Sequence, residues 1–208
     1  MPTRFKLAAT FVALTIAGAA FAQSPAAKPE RIRGDIVSFA GNTLKVHRRS
    51  GETVTIDMTD ASRLNAVRAM QLSDIKPGSY VGAAAMPGPD GKLTAKEVVV
   101  FPEAARGMGE GHYAWDLGAN STMTNANVDT IVQGTSGRDL KLSYKGGNNT
   151  VNVPANAPVV TLIPATRDEL TAGKKVFVVA TPESGGGNAG RYAGQFIVVE
   201  KDGVVPPM

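Results

Sequence analysis

The sequence predicts an all-β protein of two tandem five-stranded small barrels, of the OB type or the similar SH3-like type, each with one short helical turn. Apolar and polar residues alternate with period two over short stretches, which is typical of half-buried strands. Gly, Asn, Asp and Pro separate these stretches, as they do in hairpin-rich proteins. The second half of the chain also repeats the pattern of the first. Three strands, a helical turn and two more strands in each copy are typical of a five-stranded, partly open barrel.

Each copy begins with a predicted hairpin. In the first copy its two strands meet around Gly41, and a third strand follows after a short turn. The segment LSDIKPG at 72–78 predicts a single helical turn, because Ser73 can cap it and the closing Pro-Gly pair ends it. Two more strands, joined by the turn-forming residues 87–91, complete the copy. The predicted strands are 32–39, 43–49, 52–58, 79–86 and 93–101.

The second copy follows the first at an offset of about 96 residues. The segment LKV at 44–46 matches LKL at 140–142, and Ile75 after the first helical turn matches Leu170 after the second. Small changes of offset fall in predicted turns, where insertions cost little. We therefore expect the two halves to be diverged copies of one fold.

The alternation also fixes the register of the first hairpin. With the turn glycine at its centre, Asp35 lies opposite His47 and Arg33 lies opposite Arg49. We interpret His47 as an exposed imidazole beside a carboxylate. An alternative is that His47 and Asp35 form half of a metal or anion site, but a metal needs further ligands and the second copy has Ser143 at this place.

The N-terminus has the pattern of a secretory signal peptide. Arg4 and Lys6 precede an apolar run, and Ala20 and Ala22 supply the small residues that signal peptidase recognises. We expect cleavage after Ala22, a periplasmic or secreted location, and no membrane span in the mature chain. The expected divisions are a signal peptide at 1–22, a disordered segment at 23–30, the first barrel repeat at 31–101, a Gly-rich connecting strap at 102–124, the second repeat at 125–203 and a tail at 204–208.

The connecting strap is the most unusual part of the sequence. We interpret Tyr113, Trp115 and Leu117 as anchors that pin an ordered strap across the two barrels, because a flexible linker seldom has so many apolar residues in five positions. As an alternative, His112, Glu110 and Asp116 are weak candidates for a divalent metal site. Their spacing brings side chains together only in an extended segment, and the glycines around them leave the backbone unconstrained.

Composition excludes several classes of function. The chain has no Cys, which rules out disulfides, thiolate metal sites and a cysteine nucleophile. Loss of Arg4 and Lys6 with the signal peptide lowers the formal charge from +4 to +2, since 4 − 2 = 2, and the remaining cations are scattered. We expect no nucleic-acid binding, because the net positive charge is small and is not clustered on one face. Hydrolase, zinc-protease, phosphate-loop and dinucleotide motifs are missing, so we expect no catalytic residues and no cofactor.

Three segments of the first half carry a resemblance to a known family. The segments RGDIVSFAGNTLKV, SDIKPGSYVGAA and DGKLTAKEVVVF resemble an exported bacterial family of tandem small β-barrel repeats, a domain-of-unknown-function family of the DUF5666-like kind. The similarity covers nearly the whole mature chain. It implies the barrel fold and export, and it implies no activity that can be assigned to particular residues.

Three functions therefore remain open from the sequence. The first is a non-catalytic binding or scaffold protein whose partner is a protein, a glycan or a small ligand. The second is a periplasmic metal-handling accessory protein. The third is oligosaccharide or oligonucleotide binding on an OB-like face, for which the stacking aromatics are few. They are Phe39, Tyr80, Phe101, Tyr144, Phe177 and Phe196.

Overall fold

A computed structural model describes residues 27–88, 92–134, 137–183 and 190–206. The predicted signal peptide at 1–22 lies outside these ranges, as do the first residues of the predicted N-terminal segment. Parts of the predicted turn at 87–91, residues 135–136 and 184–189 of the predicted second repeat, and the last two residues of the tail also lie outside them. In the described part of the chain, no helix has the length and apolarity needed to cross a membrane.

The protein is all-β. The described residues form thirteen strands, and three single turns of 3-10 helix lie between them at Leu72–Asp74, Glu103–Ala105 and Arg167–Glu169. The strands are β1 (Glu30–Ala40), β2 (Thr43–Arg48), β3 (Thr53–Asp57), β4 (Arg63–Ala69), β5 (Tyr80–Pro87), β6 (Leu93–Val100), β7 (Gly111–Ala114), β8 (Thr122–Gln133), β9 (Gly137–Tyr144), β10 (Gly147–Pro154), β11 (Val159–Pro164), β12 (Lys175–Pro182) and β13 (Arg191–Val199).

Ten of these strands form two closed rings of five. In the first ring β1 pairs with β2, β2 with β3, β3 with β13, β13 with β12, and β12 with β1. In the second ring β8 pairs with β9, β9 with β10, β10 with β6, β6 with β5, and β5 with β8. One pair in each ring is parallel, namely β3 with β13 and β10 with β6. Closure leaves the ring strands few free edges.

The rings do not coincide with the two sequence copies, which differs from the tandem arrangement that we predict from the repeat. The first ring takes β1, β2 and β3 from the first copy and β12 and β13 from the second. The second ring takes β5 and β6 from the first copy and β8, β9 and β10 from the second. The copies thus exchange their last two strands, in the manner of a domain swap within one chain. The second ring is a continuous middle part of the chain, and the first is built from its two ends.

Two strands that the sequence pattern did not reveal, β4 and β11, lie between the rings. β4 pairs with β13 of the first ring on one edge and with β11 on the other. β11 in turn pairs with β6 of the second ring. Neither strand shows an alternation of apolar and polar residues, because both of its faces are buried at its centre. The buried neighbours are Ala66 and Val67 in β4, and Val160 and Thr161 in β11.

Each ring has its own apolar core. Ile36, Val46 and Ile197 are among the buried residues of the first core, and Val98, Leu140 and Val151 are among those of the second. Leu170, after the last 3-10 turn, enters the first core, and the matching Ile75 enters the second. A third cluster lies outside the rings and joins residues of both copies. Its buried members are Val67, Val99, Val160, Leu162, Phe177 and Val198.

Candidate functional site

The connecting strap folds as a short hairpin rather than as an irregular crossover. After the 3-10 turn at Glu103–Ala105, β7 pairs in antiparallel fashion with the first half of β8. Ser121 closes the loop between them: its carbonyl accepts a hydrogen bond from the Trp115 amide at 2.8 Å, and its hydroxyl accepts one from the Leu117 amide at 3.1 Å. The hairpin lies over the third cluster, against which Trp115 packs, partly buried.

One carbonyl group of the segment before β7 accepts two side-chain hydrogen bonds from the second ring. The Met108 carbonyl oxygen accepts hydrogen bonds from Asn125 Nδ2 at 3.0 Å and from the Tyr80 hydroxyl at 3.3 Å. Burial raises the pKa of Tyr80 to about 12, with the nearby Glu110 charge adding to the effect, so its hydroxyl remains a donor at neutral pH. These bonds fasten the strap to β5 and β8, two strands of the second ring.

A cavity of about 210 Å³ lies beneath the strap. Its walls are mostly aromatic and aliphatic, and they come from both copies and from the strap itself, which makes the cavity a joint product of the exchanged fold. Arg31 of β1 stands at its edge. The larger wall residues are Phe101, Tyr113, Trp115, Leu162, Phe177 and Phe196.

Two polar atoms in the cavity wall have no hydrogen-bond partner among the described residues. They are Asn125 Oδ1 and Trp115 Nε1, both fully buried. Asn125 is only 7% exposed, and its neighbours leave it no spare room. A Cβ added at Gly82 would lie 2.7 Å from its Oδ1, and one added at Gly109 would lie 2.9 Å from its Nδ2. Each unpaired buried group costs on the order of 1–3 kcal/mol, so stability alone does not explain these groups.

An ion pair closes the strap over the first ring. Arg33 of β1 donates two parallel hydrogen bonds to Asp116, from Nη1 to Oδ2 at 2.8 Å and from Nη2 to Oδ1 at 2.7 Å. Burial opposes the charge of Asp116, but these bonds together with the charges of Arg33 and Arg31 outweigh it, so the pKa of Asp116 lies below its ordinary value. This pair lies directly beside the indole that covers the cavity.

A second recess, of about 310 Å³, adjoins the ion pair and is strongly basic. Four arginines line it with Asp116 and Leu117, and Arg31 lines both this recess and the cavity. The Arg31 guanidinium carbon lies 3.8 Å from the centre of the Trp115 ring, within the range of a cation–π contact. The four arginines are Arg31, Arg33, Arg48 and Arg49.

The structure does not bring the three metal candidates of the strap together. The His112 ring accepts or donates a hydrogen bond at Thr124 Oγ1, 2.8 Å away, and stacks on Tyr144. Glu110 accepts a hydrogen bond from the Lys145 amide, and Asp116 pairs with Arg33. Throughout the described ranges, no group of three or more His, Asp or Glu side chains has the arrangement of a metal site. The alternative metal or anion site at His47 and Asp35 likewise has no third His, Asp or Glu ligand among the described residues.

The three strap anchors have different surroundings. Trp115 and Tyr113 both line the cavity, with ring centroids 6.0 Å apart, whereas Leu117 lines the basic recess. The aromatics considered for an OB-like binding face are dispersed: Tyr80 and Phe177 are buried, and Phe101 and Phe196 line the cavity. Phe39 packs against the first core and Tyr144 against the second.

Sequence analysis missed the two polar residues of the cavity, Asn125 and Arg31. Asn125 lies in the segment NANV, whose composition is that of a turn, and Arg31 is one of many charges on an alternating strand. The isolated Gly82 inside an apolar strand could have indicated this site, because a glycine inside a strand often marks a place where a ligand or another chain segment comes close to the backbone.

Comparison of the chain with protein-family models, with curated proteins and with solved structures found no match.

Proposed function

We propose that the protein is a non-catalytic binding protein and that it holds a small, mainly apolar ligand in the cavity beneath the strap. The observation that supports this most directly is an aromatic-walled cavity in which Asn125 Oδ1 and Trp115 Nε1 are buried without partners. Apolar walls with a few convergent polar groups are the usual composition of a ligand pocket.

The size of the cavity limits the ligand. An apolar protein cavity of about 150 Å³ takes up benzene. The cavity here, at about 210 Å³, has room for one six-membered ring with a short substituent. The strap, with its glycines and its ion pair to β1 between Asp116 and Arg33, is the part of the wall best suited to open and admit it.

Toluene is the probe that tests this proposal. Trp115 is the only tryptophan of the chain and lines the cavity, so its emission reports occupancy directly. We expect saturable binding of toluene to the wild-type protein, seen by Trp115 emission and by calorimetry. Val179→Phe should abolish it, because Val179 lines the cavity and the larger side chain fills it.

A matched variant separates filling of the cavity from a general effect. Val37 of β1 is 47% exposed and does not line the cavity, so Val37→Phe should leave toluene binding unchanged. Thermal unfolding of both variants checks that the fold is kept. Absence of saturable binding to the wild-type protein, or equal binding to Val179→Phe, would contradict the proposal.

We further propose that each ring is a small barrel of the OB type rather than the SH3-like type. In each ring three consecutive strands of one copy are completed by two strands of the other, with one parallel pair closing the ring, and a 3-10 turn precedes the completing strands. This supports a five-stranded Greek-key barrel.

We also retain export as a proposal, together with the resemblance to exported proteins of tandem small-barrel repeats. The charged residues Arg4 and Lys6, the apolar run and the small residues at Ala20 and Ala22 support it. N-terminal sequencing of the protein recovered from its native host tests it: a mature chain that begins at Gln23 is expected, and an uncleaved N-terminus would contradict it.

A further inference from the structure

We propose that the ligand of the cavity carries a carboxylate beside its apolar ring, so that its class is the arylalkyl carboxylates. This inference rests on the proposed binding function and specifies its ligand. The feature that carries it is Arg31, the one residue that lines both the apolar cavity and the basic recess.

Arg31 is a cation that the fold leaves available. Of the other recess arginines, Arg33 is held by Asp116, and Arg48 is held by Glu52 at 2.8 Å and by Glu30 at 3.2 Å. Arg49 is exposed and lines the recess but not the cavity. Among the described residues, no carboxylate forms a salt bridge with Arg31. A guanidinium at the edge of a cavity, without a salt bridge of its own, is the natural position for an anionic group of a ligand.

The geometry of the contact with Trp115 selects the kind of anion. At 3.8 Å from the ring centre, the guanidinium uses its face for the indole, which leaves the N–H donors at its edge for another partner. Two parallel N–H donors match the two oxygens of a carboxylate. Stacking on Trp115 also restrains Arg31 before the ligand arrives, which lowers the entropy cost of binding.

Charge around the recess favours an anion. Four arginines line it, and the one carboxylate among its described lining residues, Asp116, is held by Arg33. A ring in the cavity and a carboxylate on Arg31 together fit a molecule with a short spacer between the two groups.

The test compares two probes with the same phenylpropyl skeleton, 3-phenylpropionate with its anionic carboxylate and 3-phenyl-1-propanol with a neutral hydroxyl, on the full-length mature protein at pH 7 and low salt. Calorimetry and Trp115 emission measure both affinities. We expect the acid to bind at least about tenfold more tightly than the alcohol, since charge-assisted bonds to a guanidinium are the stronger kind. Arg31→Met, which keeps the apolar stem over Trp115, should remove this difference and leave alcohol binding in place.

Two further variants control the result. Arg68 is exposed on β4 and lines neither the cavity nor the basic recess, so Arg68→Met should keep the tenfold preference. Arg31→Lys keeps the charge without the planar donor pair and should retain only part of the preference. Equal affinities of the wild-type protein for acid and alcohol would overturn the carboxylate inference while leaving the proposed function intact. If toluene binds and neither of these probes does, this inference fails and the proposed function stands; if toluene does not bind either, both fail.

Discussion

Gly34 has no side chain, and this allows β1 and β2 to lie close together. An ideal Cβ at this position would lie 2.0 Å from the His47 carbonyl oxygen and 3.0 Å from the Arg48 Cα. Both neighbours are backbone atoms, which cannot rotate away as the end of a flexible side chain can. The requirement for glycine here is therefore steric, since the strands could not keep their separation around any side chain.

Gly34→Ala is expected to lower the free energy of unfolding by about 3 kcal/mol or more, at the upper end of the cost of overpacking. Gly41→Asn is the matched control, because Gly41 has a φ of 60° and open space around its Cβ position. Asn adopts this left-handed conformation more readily than other residues, so we expect a cost below about 1 kcal/mol. Urea unfolding of both variants measures the difference, and equal costs would contradict the steric argument.

The hairpin register at this position is one feature that the sequence predicts correctly. Asp35 lies opposite His47, as expected from the alternation and the turn glycine, and the Arg49 amide bonds the Arg33 carbonyl. The side chains find other partners than the register alone suggests: Asp35 pairs with Lys175, and His47 Nδ1 lies 3.3 Å from Thr53 Oγ1. Period-two patterns determine which residues face each other, but Lys175 comes from a strand more than a hundred positions away.

At the scale of elements, the strap shows how a hairpin can cover a cavity with few contacts to the first ring. β7 is tied to β8 by backbone pairing, whereas its link to β1 is the Arg33–Asp116 pair and the stacking of Arg31 on Trp115. The pair is partly exposed, with Asp116 at 41%. Solvent weakens such pairs, which suits a contact that must open.

Acid should therefore release the strap. Arg33 lowers the pKa of folded Asp116 below its ordinary value of 3.8, so the pair is fully formed above that value and is lost as the pH falls through the lowered pKa. We expect Trp115 emission to shift to the red in this range. Asp116→Asn should show the shifted emission already at pH 7 and lose this part of the acid dependence.

Glu169 provides the control for other carboxylates that titrate in acid. A hydrogen bond from Lys201 lowers its pKa as well, but it lies after β11 and not beside the strap. Glu169→Gln should leave the acid shift of Trp115 emission unchanged. Identical emission of Asp116→Asn and the wild-type protein at pH 7 would show that the ion pair does not position the indole.

Most individual strands can be predicted from the sequence, but the cavity cannot, because local patterns show which face of a strand is buried and not which distant strands meet. Strands such as β2 and β9 bury one face, so alternation reveals them; β4 and β11 bury both faces at their centres and leave no such pattern. The cavity depends on Asn125 and Phe177, which both lie in the second copy but belong to strands of different rings. No local pattern contains that information.

At the scale of the whole molecule, the two sequence copies are nested rather than placed side by side. The second ring is formed by strands from β5 to β10, whereas the first ring needs β13 brought to β3 and β12 brought to β1 across the intervening chain. Both arrangements bury the same kinds of apolar residue, because the copies are equivalent, so burial alone does not choose between them. β4 and β11 pair with each other and link β13 of the first ring to β6 of the second.

Two separate polypeptides distinguish a nested from a tandem molecule. Residues 70–164 contain every strand of the second ring together with β11, so we expect this piece to fold alone as a monomer with one cooperative unfolding transition. Residues 31–101, the first repeat in sequence, contain only three strands of one ring and two of the other. Because β5 and β6 belong to a different ring from β1, β2 and β3, this piece should form a dimer that exchanges strands as the two copies do here. Sedimentation and thermal unfolding monitored by circular dichroism measure both outcomes, and a folded monomer from 31–101 beside an unfolded 70–164 would show that the copies close independently.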